Sequence, residues 1–141
     1  MRPYAACAVA AVALALGASA TWGASAQSRL TITVWAKGQG TPARTYTLRC
    51  GPTGGTLPRA ARACRVLASL RHPFAPVPRM SACTEIYGGP QEALVRGVVR
   101  GRRIWAHLDR TNGCEIARWD AHRAFLPVSL AWTASARPGA R

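Results

Sequence analysis

The chain has 141 residues, with 19 Lys and Arg against 5 Asp and Glu, for a net charge of +14. That length is expected to hold one domain. So basic a surface suits anionic cell walls, acidic polymers or an acidic protein partner. The cations are almost all arginine, Lys37 being the only lysine.

The first 26 residues read as a secretory leader. Arg2 supplies the positive end, and Ala8 to Leu16 is an apolar run short of the ~18 residues that a membrane span needs. Ala24-Ser25-Ala26 then gives the small-x-small pattern of a cleavage site. Cys7 precedes the apolar run, so it is not a lipid attachment site and leaves with the leader. The expected protein is therefore secreted, with no stable membrane insertion. It comprises a domain over 27–126 and a frayed C-terminal tail over 127–141.

From residue 29 the pattern is that of strands. RLTITVWAK (29–37) alternates, with Leu30, Ile32 and Val34 on one face and Thr31, Thr33 and Trp35 on the other. GQGTPA turns the chain, and RTYTLRC (44–50) alternates again, with Tyr46, Leu48 and Cys50 on one side; the two segments are expected to pair antiparallel. GPTGG is a break. Ala60, Ala63, Cys64, Leu67 and Leu70 then recur at helical spacing. Thr56 is the expected cap, Pro58 lies in the first turn and His72-Pro73 is the stop. Arg59, Arg62 and Arg65 fall on the opposite, solvated side of that helix.

HPFAPVPRM (72–80), with three prolines, reads as an extended surface run. ALVRGVV (93–99) and RRIWAHLD (102–109) form a hairpin through Arg100-Gly101, with Ile104, Ala106 and Leu108 inward. RAFLPVSLAW (123–132) is a candidate last strand, limited by Pro127. The fold class is α+β, an antiparallel sheet with one good helix packed on it.

Cys50, Cys64, Cys83 and Cys114 remain after the leader. An even number in a small exported chain implies two disulfides, and three pairings are open. No C-x-x-C pair is present and His72, His107 and His122 stand at no ligand spacing, so no metal site or cofactor is expected.

Four landmarks, taken in order, carry a resemblance. They are YTLRCGPTGGTLPRAARAC, a strand, Cys, turn, Ala-rich helix and Cys; SACTEIY, a cysteine opening a short segment that ends in tyrosine; GVVRGRR, the hairpin; and NGC, which ends the second cysteine interval. Over roughly residues 30 to 126 the chain resembles the Streptomyces subtilisin inhibitor family of secreted serine-protease inhibitors. The resemblance implies a five-stranded antiparallel sheet packed with one main helix and a short second helix. It also implies two disulfides in sequential pairing, Cys50–Cys64 and Cys83–Cys114, and a homodimer.

The resemblance further implies that the protein is not an enzyme. It offers an extracellular serine protease a substrate-like loop of Cys83, Thr84, Glu85, Ile86 and Tyr87, with Glu85–Ile86 as the reactive bond and Asn112 bonding the loop from behind. Two departures from the family stand out. Glu85 occupies the specificity position, where Met, Lys, Arg or Leu is common, which points to a target with a basic or polar pocket, such as a glutamyl-specific endopeptidase, beside subtilisin-like enzymes. Gly88-Gly89-Pro90 replaces the usual Asp-Pro and is expected to loosen the loop.

The rival from another class is a secreted basic ribonuclease using Glu85 or Glu115 with His107 or His122. No spacing selects such a pair, and no nucleic-acid partner is expected. A serine hydrolase is weaker still, since no Gly-x-Ser-x-Gly elbow occurs. A binding module that keeps the scaffold without inhibiting is the third possibility.

Overall fold

A computed structural model describes residues 27–128. The expected leader, most of the expected tail and the last four residues of the candidate last strand lie outside the described residues. Strands β1 (Ser28–Trp35) and β2 (Ala43–Cys50) pair antiparallel, Leu30 opposite Leu48 and Ile32 opposite Tyr46. The two-residue strand β3 (Gly54–Gly55) adds an edge beside β2. Strands β4 (Glu92–Val99) and β5 (Arg102–Leu108) complete one antiparallel sheet of order β3-β2-β1-β4-β5. Arg100 and Gly101 turn the hairpin with φ of 49° and 79°, the paired positive values of a tight two-residue hairpin turn.

The alternation decides which face is covered. Leu30, Ile32, Val34, Leu48, Ala93, Val95, Ala106 and Leu108 are buried beneath two helices, α1 (Ala60–Ser69) and α2 (Gly113–Ala121). Ala63 and Leu67 from α1, and Trp119 from α2, meet them in a single core with Phe74, Phe125 and Leu126. Each of these large apolar side chains contributes ~1.5–3 kcal/mol on burial, so the core needs both helices. The opposite sheet face carries Thr31, Thr33, Thr45 and Thr47 and is open.

Several expectations need correction. The GPTGG break contains β3. Thr56 does not cap α1. Its hydroxyl accepts from Thr47 N–H at 2.9 Å, and the helix starts after Arg59, which sits at φ 57° with no side-chain cap. Residues 123–125 form a 3-10 turn rather than a strand. The short second helix lies over Gly113–Ala121, a stretch that showed no helical pattern. Its cap is Asn112, whose side-chain oxygen accepts from Glu115 N–H at 3.0 Å, an arrangement that satisfies one of the orphan donors of the first turn.

Both disulfides are sequential, Cys50–Cys64 tying β2 to α1 and Cys83–Cys114 tying the segment before β4 to α2. With separations of 14 and 31 residues, each adds ~3–4 kcal/mol in the chain-entropy account.

Helix α2 also clasps the proline-rich run. Phe74 has φ 62°, and both its backbone polar groups are taken by side chains one helical turn apart. Its N–H donates to His122 Nε2 at 2.9 Å, and its carbonyl accepts from Arg118 Nη2 at 3.1 Å. Because Phe74 N–H can only donate, Nε2 must be the unprotonated nitrogen, and Nδ1–H donates to Arg118 O at 2.7 Å. Burial, with the nearby Arg118 charge adding to it, holds the His122 pKa below its usual value.

A histidine kept neutral in the fold stabilises it fully above the unfolded value near 6.5. That contribution is lost as pH falls from there toward the depressed folded value. Thermal melts should therefore show Tm declining as pH drops below 6.5, and His122→Gln should flatten that part of the profile. An unchanged slope in the variant would remove His122 as its cause.

Candidate functional site

The segment from Ser81 to Gly89 has no regular secondary structure and joins the proline-rich run to β4. Its middle is bare. Thr84, Glu85, Ile86 and Tyr87 are all exposed, Ile86 at 62% and Tyr87 at 64%, and the side chains of residues 85–87 make no hydrogen bond or ion pair among the described residues. Large apolar side chains displayed consecutively would be unusual on a free stretch, but the ends of this one are not free.

On the upstream side Cys83 is bonded to Cys114 at the start of α2. One residue on, the Thr84 carbonyl accepts from Gly113 N–H at 2.8 Å. A Cβ on Gly113 would run into the Thr84 side chain, so the helix start and the segment approach as closely as they do because position 113 is glycine. On the downstream side Arg110 grips Gly88 at both polar atoms. Gly88 N–H donates to Arg110 O at 2.8 Å, and Arg110 Nε donates to Gly88 O at 2.9 Å. A Cβ on Gly88 would stand 2.7 Å from Ile116 Cγ1, so here too the backbone lies directly on α2. The Gly88-Gly89 pair, expected to loosen the loop, thus includes a residue that is clamped.

Arg110 is itself held. Its guanidinium lies 5.9 Å from the centre of the buried Trp119 ring, and Nη1 is 3.7 Å from Asp120 Oδ1. This residue was not singled out from sequence. One arginine among so many carries no mark, and a bond to a main-chain carbonyl leaves no pattern.

Asn112 lies next to the supporting contact. The bond its side chain makes is the cap on Glu115 N–H, while the neighbouring Gly113 N–H reaches Thr84. Cys50 and Cys64 are at the other end of the sheet and take no part.

The residues weighed for ribonuclease chemistry are not brought together. His122 has both ring nitrogens occupied by backbone groups, and Glu115 is 3.0 Å from Arg118. The His107 ring instead meets Glu92 at 2.8 Å and Asp109 at 3.6 Å. Partial burial of Glu92 works against its ionised form. Hydrogen bonds from Gln39 N–H, His107 and the Gln39 amide outweigh it and hold the carboxyl below its usual range. Among the described residues no group of three His, Cys, Asp or Glu side chains could hold a metal ion, and no helix is long and apolar enough to cross a membrane.

A model of the subtilisin inhibitor-like family matches residues 24–112. The chain belongs to that family. Among solved structures it is similar to Streptomyces caespitosus sermetstatin, crystallised in complex with Bacillus licheniformis subtilisin. The two share 24% identity over 73% of this chain and 99% of that one, with a TM-score of 0.46; at that level the likeness adds nothing to the family assignment. No curated protein matches the chain.

The double grip on Gly88 predicts what its loss does. Arg110→Ala removes a charged donor from Gly88 O, an interaction worth ~1.5–3 kcal/mol. Limited proteolysis should then cut within residues 84–88 about ten- to a hundredfold faster than in the parent protein, with the Cys83–Cys114 bond intact. Equal cutting rates would show that the disulfide alone holds the segment.

Proposed function

We propose that this protein is a secreted inhibitor of serine proteases that presents residues 83–87 as a substrate-like loop, with Glu85–Ile86 as the reactive bond. The observation that carries the proposal is a bare segment fixed at both ends, upstream on the start of α2 and downstream on Arg110 just before it. The Cys83–Cys114 bond and the Thr84–Gly113 hydrogen bond hold it upstream, and the Gly88–Arg110 pair holds it downstream. A loop already in its bound shape loses little ordering entropy when a protease takes it up. After cleavage both new ends stay anchored, so the acyl-enzyme is positioned to re-form the bond in preference to releasing product. The inhibitor itself supplies no catalytic group.

Family membership supports the class of partner, a serine protease. Glu85 narrows it. Its carboxylate enters the pocket that reads the residue before the scissile bond, and burying an unpaired carboxylate in an apolar pocket is strongly unfavourable. The targets are accordingly subtilisin-like enzymes with a broad pocket and, better, glutamyl-specific endopeptidases whose pocket offers a cation or hydrogen-bond donors. Asn112, by capping α2, fixes the helix start against which Thr84 rests. Residues 1–26 are removed on export, and the inhibitor works as a homodimer, whose mass sedimentation equilibrium would measure.

Inhibition constants for the parent, Glu85→Lys and Glu85→Met proteins test the assignment. The lysine variant should gain trypsin-like targets, and the methionine variant should bind subtilisin at least about tenfold tighter, the equivalent of ~1.4 kcal/mol. Both should lose a glutamyl-specific enzyme. Mass spectrometry after incubation should find slow, partial cleavage confined to the 85–86 bond. Identical constants for all three proteins would mean that Glu85 does not occupy the specificity pocket, and rapid complete cleavage would make the protein a substrate.

A further inference from the structure

The two disulfides divide the chain in a way that bears on more than the loop. Cys50–Cys64 closes a ring before the loop, and Cys83–Cys114 closes a ring that contains it. A cut at Glu85–Ile86 falls inside the second ring, so its two ends stay joined through sulfur. A cut between Cys64 and Cys83 falls inside neither ring. The two pieces would then be held by non-covalent contacts alone, chiefly the β1–β4 pairing from Arg29–Val98 to Trp35–Glu92 and the shared core.

Most of that uncrossed stretch is protected by α1 and by the clasp on Phe74. The eight residues from Ala75 to Ala82 are not. All are exposed except Val77, which is half-buried. From Pro76 to Ala82 one backbone hydrogen bond is made, Ser81 N–H to Pro78 O at 3.0 Å, and it closes a turn with Arg79 and Met80 at its corner. Met80, at 96%, stands furthest into solvent of the large apolar side chains described. The Arg79 side chain is exposed and makes no hydrogen bond or ion pair among the described residues.

A trypsin-like protease needs its arginine on extended backbone, with the guanidinium free to enter an acidic pocket. At Arg79 this requires opening one neutral hydrogen bond, a small cost. Pro76 and Pro78 already favour extended geometry on the upstream side. Exposed loop tips are also where chains are preferentially nicked.

Among the described residues the other cationic side chains are less available, since most lie in strands or helices. Arg59 and Arg100 have φ of 57° and 49°, a left-handed backbone unlike that of an extended substrate. Arg110 is bonded to Gly88. Lys37 adjoins a turn in which Gln39 bonds Glu92 through both its N–H and its side-chain amide. Arg71 follows Leu70, whose carbonyl accepts from Arg100 Nη2 at 2.6 Å.

We propose that Arg79–Met80 is a processing site, the bond at which an arginine-specific, trypsin-like serine protease dismantles this domain. The protease hydrolyses the amide. Water supplies the hydroxyl that completes a carboxyl group on Arg79 and the proton that completes an amine on Met80. The new ends are not kept together. Arg79 is five residues beyond Phe74, and Met80 is three residues before Cys83, so no covalent link returns the amine to the acyl carbon. Cleavage here is one-way, whereas a cut inside the Cys83–Cys114 ring leaves its ends tethered. The site goes beyond the inhibitory reading and does not depend on it.

Brief incubation of the full protein with a low ratio of trypsin tests the proposal, with fragments read by mass spectrometry and on denaturing gels run without reductant. The first cut inside residues 27–128 should leave one fragment ending at Arg79 and one beginning at Met80, and the two should separate without reduction. Arg79→Gln should slow that cut at least about tenfold, because an acidic pocket loses its cationic partner. Arg79→Lys should keep the cut, and Arg71→Gln should leave its rate unchanged.

The Tm of the nicked protein should fall with dilution more steeply than that of the uncut protein, because folding has become an association of two chains. Three results would overturn the proposal. They are a first cut at another bond of the domain, shown inside the Cys83–Cys114 ring by fragments that separate only after reduction; equal cutting rates for the parent and Arg79→Gln; or a nicked protein whose Tm depends on concentration no more than the parent's does.

Discussion

Everything that distinguishes this domain from a plain sheet-and-helix sandwich depends on how α2 is fastened. Nine residues long, it is too short to be stable alone, and it is held by what it holds. Trp119 anchors it in the core, and Asn112 organises its first turn. From that position Gly113 and Cys114 take the upstream end of the exposed segment, Ile116 carries Gly88, and Arg118 with His122 clasps Phe74. The three attachments lie successively along the helix, so the proline-rich run, the loop and the start of β4 share one platform. Loss of any one attachment would be felt by the others through the same short helix, which is where couplings between neighbouring contacts are expected.

The rest of the architecture serves as backing for that platform. Strand β5 delivers Arg110 to the edge of α2, and Arg118 donates to His107 O at the end of the same strand. The first disulfide closes α1 onto β2 at the distant side of the sheet. The core is a single layer between one sheet face and two helices.

Much of the fold was legible because β1, β2, β4 and β5 obey the two-residue period without interruption, and because Arg100-Gly101 announces its turn. Most of what stayed hidden depends on polar groups that serve hydrogen bonding rather than on burial of apolar surface. In α2 and at the residue that ends it, the inward positions include Arg118 and His122, which are polar residues a periodicity argument assigns to solvent. Asn112 with Glu115 three residues later was the available signal for that helix, a cap pattern without the apolar stripe that normally confirms it. Thr56 looked like a cap by type but was committed to Thr47. Strand β3, being two glycines, has no side chains to alternate. At the site, the exposed residues were identified through the cysteine spacing and the family landmarks. Their supports, Arg110 and Gly88, act through main-chain atoms, whose partners no residue type reveals.

The bareness of residues 85–87 has a further consequence. Their side chains are exposed and make no hydrogen bond or ion pair among the described residues, and the attachments at 83, 84 and 88 act through a disulfide and backbone groups. Substitutions at exposed positions of that kind typically alter stability by no more than ~0.5 kcal/mol. The three residues are therefore free to diverge between relatives, or to be exchanged by grafting, while the frame stays as it is. Selection on what the segment meets and selection on whether the domain folds fall on separate sets of residues.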